Sequence, residues 1–202
     1  RRMKKIVILG STGSVGTQTL EVVRQGDFKV LAISGYKNQE LLREQAREFD
    51  CEVGNPCDIA VLKDADLIVN AISGCAGIEP TYLAVCAGKK VALANKESLV
   101  SAGRIIMDKA KPDQIIPVDS EHSAIFQILR ANPGREIKKI ILTCSGGPFL
   151  GYTDLRKIRK EDALTHPTWK MGPKITIDCA TLMNKGLEII EAKYLFDLPP
   201  EK

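Results

Sequence analysis

The sequence is poor in histidine and aromatic residues and has no paired-cysteine motif. It contains two histidines and six cysteines (Cys51, Cys57, Cys75, Cys86, Cys144 and Cys179), none in a C-x-x-C spacing, so the common zinc-binding arrangements are excluded. Free, mostly buried thiols in a reducing compartment are expected instead. Aromatic residues make up 5% of the chain, and the basic residues (Lys4, Lys5, Lys89, Lys90, Lys138, Lys139) are scattered. No basic stripe interleaved with stacking side chains is therefore available for nucleic acid. Long apolar runs are missing as well. The run that follows Arg1-Arg2-Met3-Lys4-Lys5 ends at Gly10, too short for a signal-peptide core or a membrane span. There is no internal repeat or low-complexity segment. These absences predict a cytoplasmic protein with no nucleic-acid or membrane partner.

Hydrophobic residues at 44% and charged residues at 27% predict a packed core. The net charge of +4 suits small anionic ligands such as phosphates.

Apolar periodicity alternates between strand and helix. Strands are expected over residues 4–9, 29–34, 66–72 and 90–94, and helices over 14–24, 39–49 and 80–87. This βαβ repetition predicts an α/β fold with a doubly wound, Rossmann-like parallel sheet over residues 1–94. A second unit, α+β in character and incomplete at its C-terminus, is expected over 95–202. In it the pattern reads helix 99–109, strand 114–118, helix 123–131 and strand 137–143. A Gly- and Pro-punctuated loop follows over 145–173, then one long helix over 180–196.

Gly10-Ser11-Thr12-Gly13-Ser14-Val15-Gly16 lies between the first strand and the first helix. Glycines there let the backbone approach a pyrophosphate, and the helix N-terminus offers free N–H groups. The G-x-x-G-x-x-G spacing is one residue off the usual dinucleotide fingerprint, and an ordinary tight turn is the alternative. At the end of the second strand, where NAD binders place an acid on the ribose 2′-hydroxyl, the chain has Ser34-Gly35-Tyr36-Lys37-Asn38. Lys37 suits a 2′-phosphate, which favours NADP; a solvated surface lysine is the alternative.

Asp119 and Glu121, two residues apart after a strand, are expected to point the same way and to offer one cation two carboxylates. Oxygen ligands imply Mg²⁺ or Mn²⁺; a surface pair or helix cap is the alternative. Ser145-Gly146-Gly147-Pro148 is either a phosphate-binding turn or a plain one. Asn184 and Glu188 share a helix face, with Lys185 beside them, either as ligands or as a solvated surface.

Six stretches occur in order: GSTGSVG at 10–16, ANKESLV at 94–100, PVDSEHSAIFQ at 117–127, SGGPF at 145–149, HPTWKMG at 166–172 and DCATLMNKGLE at 178–188. The chain thereby resembles the 1-deoxy-D-xylulose 5-phosphate reductoisomerases over essentially its whole length. The resemblance implies an NADPH- and metal-dependent enzyme that rearranges a phosphorylated sugar to an aldehyde and then reduces it, dimeric at full length. It implies that Gly10 to Gly16, Gly35, Lys37, Asn38, Asn95 and Glu97 hold NADPH. Asp119, Glu121 and Glu188 would bind Mg²⁺ or Mn²⁺ and, with Lys96, carry the catalysis. Ser120 would touch the substrate oxygens, and Ser145, Cys179, Asn184 and Lys185 would grip the phosphate. His166 and Trp169 would belong to a lid over the substrate.

Three departures accompany the resemblance. Residues 51–64 are too short for the strand–helix stretch the family carries there. The family continues beyond this C-terminus. Cys179 stands where the family has a serine. A non-catalytic NADP-binding relative is the main competing reading. A semialdehyde dehydrogenase with Cys144 or Cys179 as nucleophile is the other, but it leaves Asp119 and Glu121 without a role.

Overall fold

The computed structural model describes residues 3–168, 171–199, 201 and 202. Its centre is a six-stranded, all-parallel sheet in the order β3-β2-β1-β4-β5-β6. In chain order the first half runs β1 (Lys4–Leu9), α1 (Ser14–Gln25), β2 (Phe28–Ser34), α2 (Gln39–Glu48), β3 (Glu52–Val53) and α3 (Pro56–Ile59). It continues through β4 (Leu67–Asn70), α4 (Ile78–Cys86), β5 (Lys90–Leu93), α5 (Lys96–Met107), β6 (Ile115–Pro117) and α6 (Ser120–Ala131). Beyond these lie α7 (Lys160–Ala163), α8 (Pro173–Ala180) and α9 (Met183–Phe196).

β1 shows why its sequence reads as a continuous apolar run. Successive side chains leave a strand on opposite faces, and here both faces are covered. Ile6 and Ile8 join Leu20, Val23, Ile33 and Leu42 in one core, while Val7 and Leu9 join Ile68, Val91, Leu99 and Ile106 in the other. Each such side chain contributes about 1.5–3 kcal/mol on burial. The strand order reverses between β1 and β4, and the carboxyl ends of these two strands frame the crevice where open α/β sheets take ligands.

Several expectations are corrected. The short stretch 51–64 does hold a strand and a helix, reduced to the two residues of β3 and the single turn of α3, which Asn55 caps by accepting from Cys57 N–H. The sheet does not end at residue 94, because β6 pairs with β5 and extends it. No strand forms over 137–143. A strand needs a paired neighbour, and here Ile141 is exposed and the backbone bond from Ile140 goes to Lys202. The helix expected over 180–196 begins later, at Met183, and a separate, unexpected helix, α8, ends at Ala180. Leu182 takes a left-handed conformation (φ +60°), and the Thr181 hydroxyl turns back to the Ile177 carbonyl and accepts from Met183 N–H. Neither Gly nor Pro marks this break, so the pattern gave no signal for it.

α9 packs against α5 and α8. The approach to α5 depends on Gly103, where a Cβ would come within 2.4 Å of the Tyr194 ring. This contact brings the N-terminal end of α5 to the charged face of α9. No helix among the described residues is long and apolar enough to cross a membrane.

Candidate active site

At the mouth of β1, Ser34 O accepts the N–H groups of both Gly10 (3.0 Å) and Ser11 (2.8 Å), which joins the Gly-rich turn to the end of β2. Gly16 is required because a Cβ there would lie 2.2 Å from Gly10 O. Gly13 is the N-cap of α1, and no side chain caps that helix. The helix N-terminus over Ser14, Val15 and Gly16 thus has no side-chain cap, as a terminus that takes an anion would. The Ser11 side chain is fully buried and bonds to Ser34 and Gln45, so only its backbone belongs to the turn's outer surface. Gly35 lies beside Thr12. Lys37 is exposed and joins no ion pair among the described residues. Asn38 caps α2 by accepting from Leu41 N–H at 3.1 Å.

Asn95 is the buried N-cap of α5. Its side chain accepts from Ser98 N–H and donates to the carbonyls of Ile72 (2.9 Å) and Gly74 (2.8 Å). It therefore holds the β4–α4 loop. Glu97 pairs with Lys174 of α8 at 3.2 Å, a tie between the two halves of the chain that spacing did not reveal.

Asp119, Glu121 and Glu188 converge, with one oxygen of each within 4.8 Å of the others. The route differs from the expected one. Asp119 is the N-cap of α6 and Glu121 sits in its first turn, so they converge across a helix start and not along an extended strand. Ser120 donates to Glu121. Lys96, on the first turn of α5, contacts Asp119 and lies 3.2 Å from Glu191 and 3.6 Å from Glu188. Lys185 contacts Glu188 and lies 3.1 Å from Glu121. Asn184 donates to Glu188.

Burial opposes charge on Lys96, but Glu191, Asp119 and Glu188 outweigh it and hold its ammonium above the ordinary lysine range. Burial likewise opposes Asp119, yet His122 and Lys96 keep its carboxylate well below the usual range. Glu121 is lowered against its burial by Ser120 and Lys185. Burial, only partly offset by Lys96, raises Glu191.

The donor set suits a hard divalent cation: three carboxylates plus oxygen atoms not committed elsewhere. Asp119 Oδ1 is buried and faces His122 Nδ1 at 3.1 Å without hydrogen-bond alignment, and Asn184 Oδ1 is buried without a hydrogen-bond partner among the described residues. The two lysine ammoniums occupy the same acidic cluster.

Ser145 Oγ and His166 Nε2 pair at 3.2 Å. Among the described residues no hydrogen bond joins Ser145 to Asn184 or Lys185, each of which bonds within its own part of the site. Cys179 lies near the C-terminal end of α8 and not before the start of a long helix. It remains close to the cluster: burial and then Glu188 raise its thiol, which also makes it a poor nucleophile for dehydrogenase chemistry. Trp169 lies outside the described residues.

Sequence reasoning missed Glu191 and the fully buried His122, whose Nε2 lies 2.9 Å from the Glu188 carbonyl. Glu191 was detectable in principle, three residues after Glu188 on one helix face. His122 carried no signal beyond its place in a motif.

Comparisons with known proteins identify the family. The 1-deoxy-D-xylulose 5-phosphate reductoisomerase family matches residues 6–55 and 54–103, and its C-terminal domain matches 115–196. A 1-deoxy-D-xylulose 5-phosphate reductoisomerase from a Thermoanaerobacter species is 49% identical over 231 positions, covering 99% of this chain and 60% of the relative. That of Agathobacter rectalis is 52% identical, covering 97% of this chain and 60% of its own length. A crystal structure of DOX-P reductoisomerase in complex with NADPH, fosmidomycin and magnesium superposes with a TM-score of 0.88 at 37% identity, covering 98% of this chain and 59% of that one. The chain thus spans about 60% of the length of these relatives. The 231 aligned positions exceed its own 202 residues, and the family match breaks at residues 54–55, where β3 and α3 are so short. The chain belongs to the 1-deoxy-D-xylulose 5-phosphate reductoisomerase family.

Proposed function

We propose that the protein is the NADPH- and Mg²⁺- or Mn²⁺-dependent reductoisomerase that converts 1-deoxy-D-xylulose 5-phosphate to 2-C-methyl-D-erythritol 4-phosphate in non-mevalonate isoprenoid synthesis. The observation that carries this reading is the convergence of Asp119, Glu121 and Glu188, with Lys96 and Lys185 among them, in a chain that also carries a dinucleotide-type turn. Relatives of the same family, solved with NADPH and magnesium, support it. Residues 1–94 serve as the nucleotide-binding unit and 95–202 as the catalytic unit, although both contribute to one sheet.

A divalent ion would be held by Asp119, Glu121 and Glu188, where it supplies Lewis acidity to a carbonyl, while reduced nicotinamide supplies hydride. Lys96 keeps a permanent positive charge at the same place, suited to an oxyanion that develops as the carbon skeleton rearranges. Lys185 and Asn184, next to one another on α9, present donors for the substrate phosphate once Lys185 leaves Glu121 and Glu188. Ser120 reaches the substrate oxygens from the first turn of α6. Ser145 and Cys179 are read as further contacts for the substrate phosphate, and His166 as part of a lid that excludes water. Gly10 to Gly16, Gly35, Lys37 and Asn38 receive the nucleotide, with Asn95 and Glu97 at its nicotinamide end. A cytoplasmic homodimer is the state proposed for the full-length enzyme; the six free cysteines support a reducing compartment.

The test is NADPH oxidation by the protein with 1-deoxy-D-xylulose 5-phosphate, with and without Mg²⁺ or Mn²⁺, and with Glu188→Gln. Metal-dependent turnover abolished by Glu188→Gln is expected. Tight NADPH binding without turnover under any metal would favour a non-catalytic relative.

A further inference from the structure

α2 buries two side chains, Leu42 and Gln45. A buried amide is costly unless its donor and acceptor are both used. Gln45 is 4% exposed and uses both on one residue of the Gly-rich turn. Ser11 Oγ donates to Gln45 Oε1 at 2.8 Å, and Gln45 Nε2 donates to the Ser11 carbonyl at 3.1 Å. The Ser11 N–H is already bound to Ser34 O. Ser11 is therefore held at its N–H, its carbonyl and its hydroxyl.

The carbonyl bond has a consequence one atom further on. A trans peptide is planar, with its C=O and the following N–H pointing in opposite directions. Pinning the Ser11 carbonyl toward α2 turns the N–H of Thr12 away from α2, outward over the turn. Thr12 N–H takes none of the hydrogen bonds made among the described residues. It lies beside the uncapped first turn of α1 and next to Gly35. α2 is capped by Asn38, seven residues and about two turns before Gln45, so it spans from the Lys37 end of the nucleotide site to the pyrophosphate end.

We propose that Gln45 is a positioning residue for the dinucleotide: by clamping Ser11 it aims Thr12 N–H at the pyrophosphate. This deepens the NADPH reading above and rests on it. Gln45 touches no cofactor atom; it acts through the Ser11–Thr12 peptide.

The test is calorimetric titration of the parent protein and of Gln45→Leu with three probes: NADPH, adenosine 2′-monophosphate, which has the 2′-phosphate but no pyrophosphate, and Mn²⁺. NADPH affinity is expected to fall about tenfold, the worth of one preorganised hydrogen bond, with the other two unchanged. Unchanged NADPH affinity overturns the proposal. Equal weakening for NADPH and adenosine 2′-monophosphate also overturns it, because a general loosening of the nucleotide unit would affect both. Should Gln45→Leu not fold, Gln45→Glu carries the same test: it can still accept from the Ser11 hydroxyl but has no donor for the Ser11 carbonyl, so the selective loss of NADPH affinity must persist. A parent protein that binds neither nucleotide overturns the cofactor reading itself, and the positioning role with it.

Discussion

Lys96→Met should destabilise the metal-free protein and be rescued by Mg²⁺. The Lys96 ammonium touches Asp119 and stands 3.2 Å from Glu191 and 3.6 Å from Glu188, with its side chain 11% exposed. At an effective dielectric constant of about 20, each of the two longer contacts has a Coulomb energy of about 5 kcal/mol before desolvation. Desolvating the ammonium offsets much of this, yet removing one member of a buried charge cluster still costs about 3–5 kcal/mol, because the carboxylates left behind stay buried without compensation. In a chain of this length each kcal/mol shifts the melting temperature by about 2–4 °C, so a fall of about 6–20 °C is expected in chelator. Saturating Mg²⁺ should recover most of it in the variant, since a cation gathered by Asp119, Glu121 and Glu188 supplies the missing charge. The parent should gain less, because its own ammonium occupies the cluster. Thermal unfolding followed by circular dichroism, with and without Mg²⁺, is the assay. Equal melting temperatures in chelator, or a deficit that Mg²⁺ leaves unchanged, would refute the reasoning.

Three further outcomes are expected. Gly16→Ala forces a Cβ to within 2.2 Å of the Gly10 carbonyl, so the turn must shift; NADPH affinity should drop at least about tenfold, at a stability cost of about 1–3 kcal/mol, as calorimetry and urea unfolding would show. Lys37→Glu should shrink the preference for NADPH over NADH by about ten- to a hundredfold, since a charge-assisted contact contributes about 1.5–3 kcal/mol; equal affinities for the two cofactors in the parent would remove Lys37 from the site. The Cys179 thiol is raised by burial and by Glu188, so its thiolate fraction at neutral pH is small. Peptide mapping after iodoacetamide should show it alkylated more slowly than exposed Cys75 and gaining rate as the pH rises above the ordinary thiol range; modification as fast as that of Cys75 at neutral pH would contradict this.

The elements of the sheet were legible wherever a side chain's period and its burial coincide. β1, β2, β4 and β5 are covered on both faces and read as apolar runs, and α1 and α2 carry apolar stripes. The strand expected over 137–143 has equally apolar residues, but hydrophobicity does not supply the neighbour to which its N–H and C=O groups must bond. The break at Leu182 was invisible for a related reason. It is made by a left-handed residue and a threonine side chain, not by the Gly or Pro that usually announces one.

The sequence by itself determined the α/β class, the place of the Gly-rich turn, the lack of an acid after β2, and Asp119, Glu121 and Glu188 as candidate ligands, because each is written in neighbouring residues or in a motif short enough to recognise. Only the tertiary structure decided what these residues face. Lys96 and Glu191 are far apart in the chain and meet because Gly103 lets α5 approach Tyr194 of α9. Glu121 meets Glu188 from the first turn of a helix, where spacing had suggested an extended segment after a strand. Gln45 reads as one more polar residue of an amphipathic helix until the fold sets it against Ser11. A local pattern records which face of an element is apolar. Which charges share a buried space depends on how the elements pack, and that long-range geometry has no counterpart in the spacing of residues along the chain.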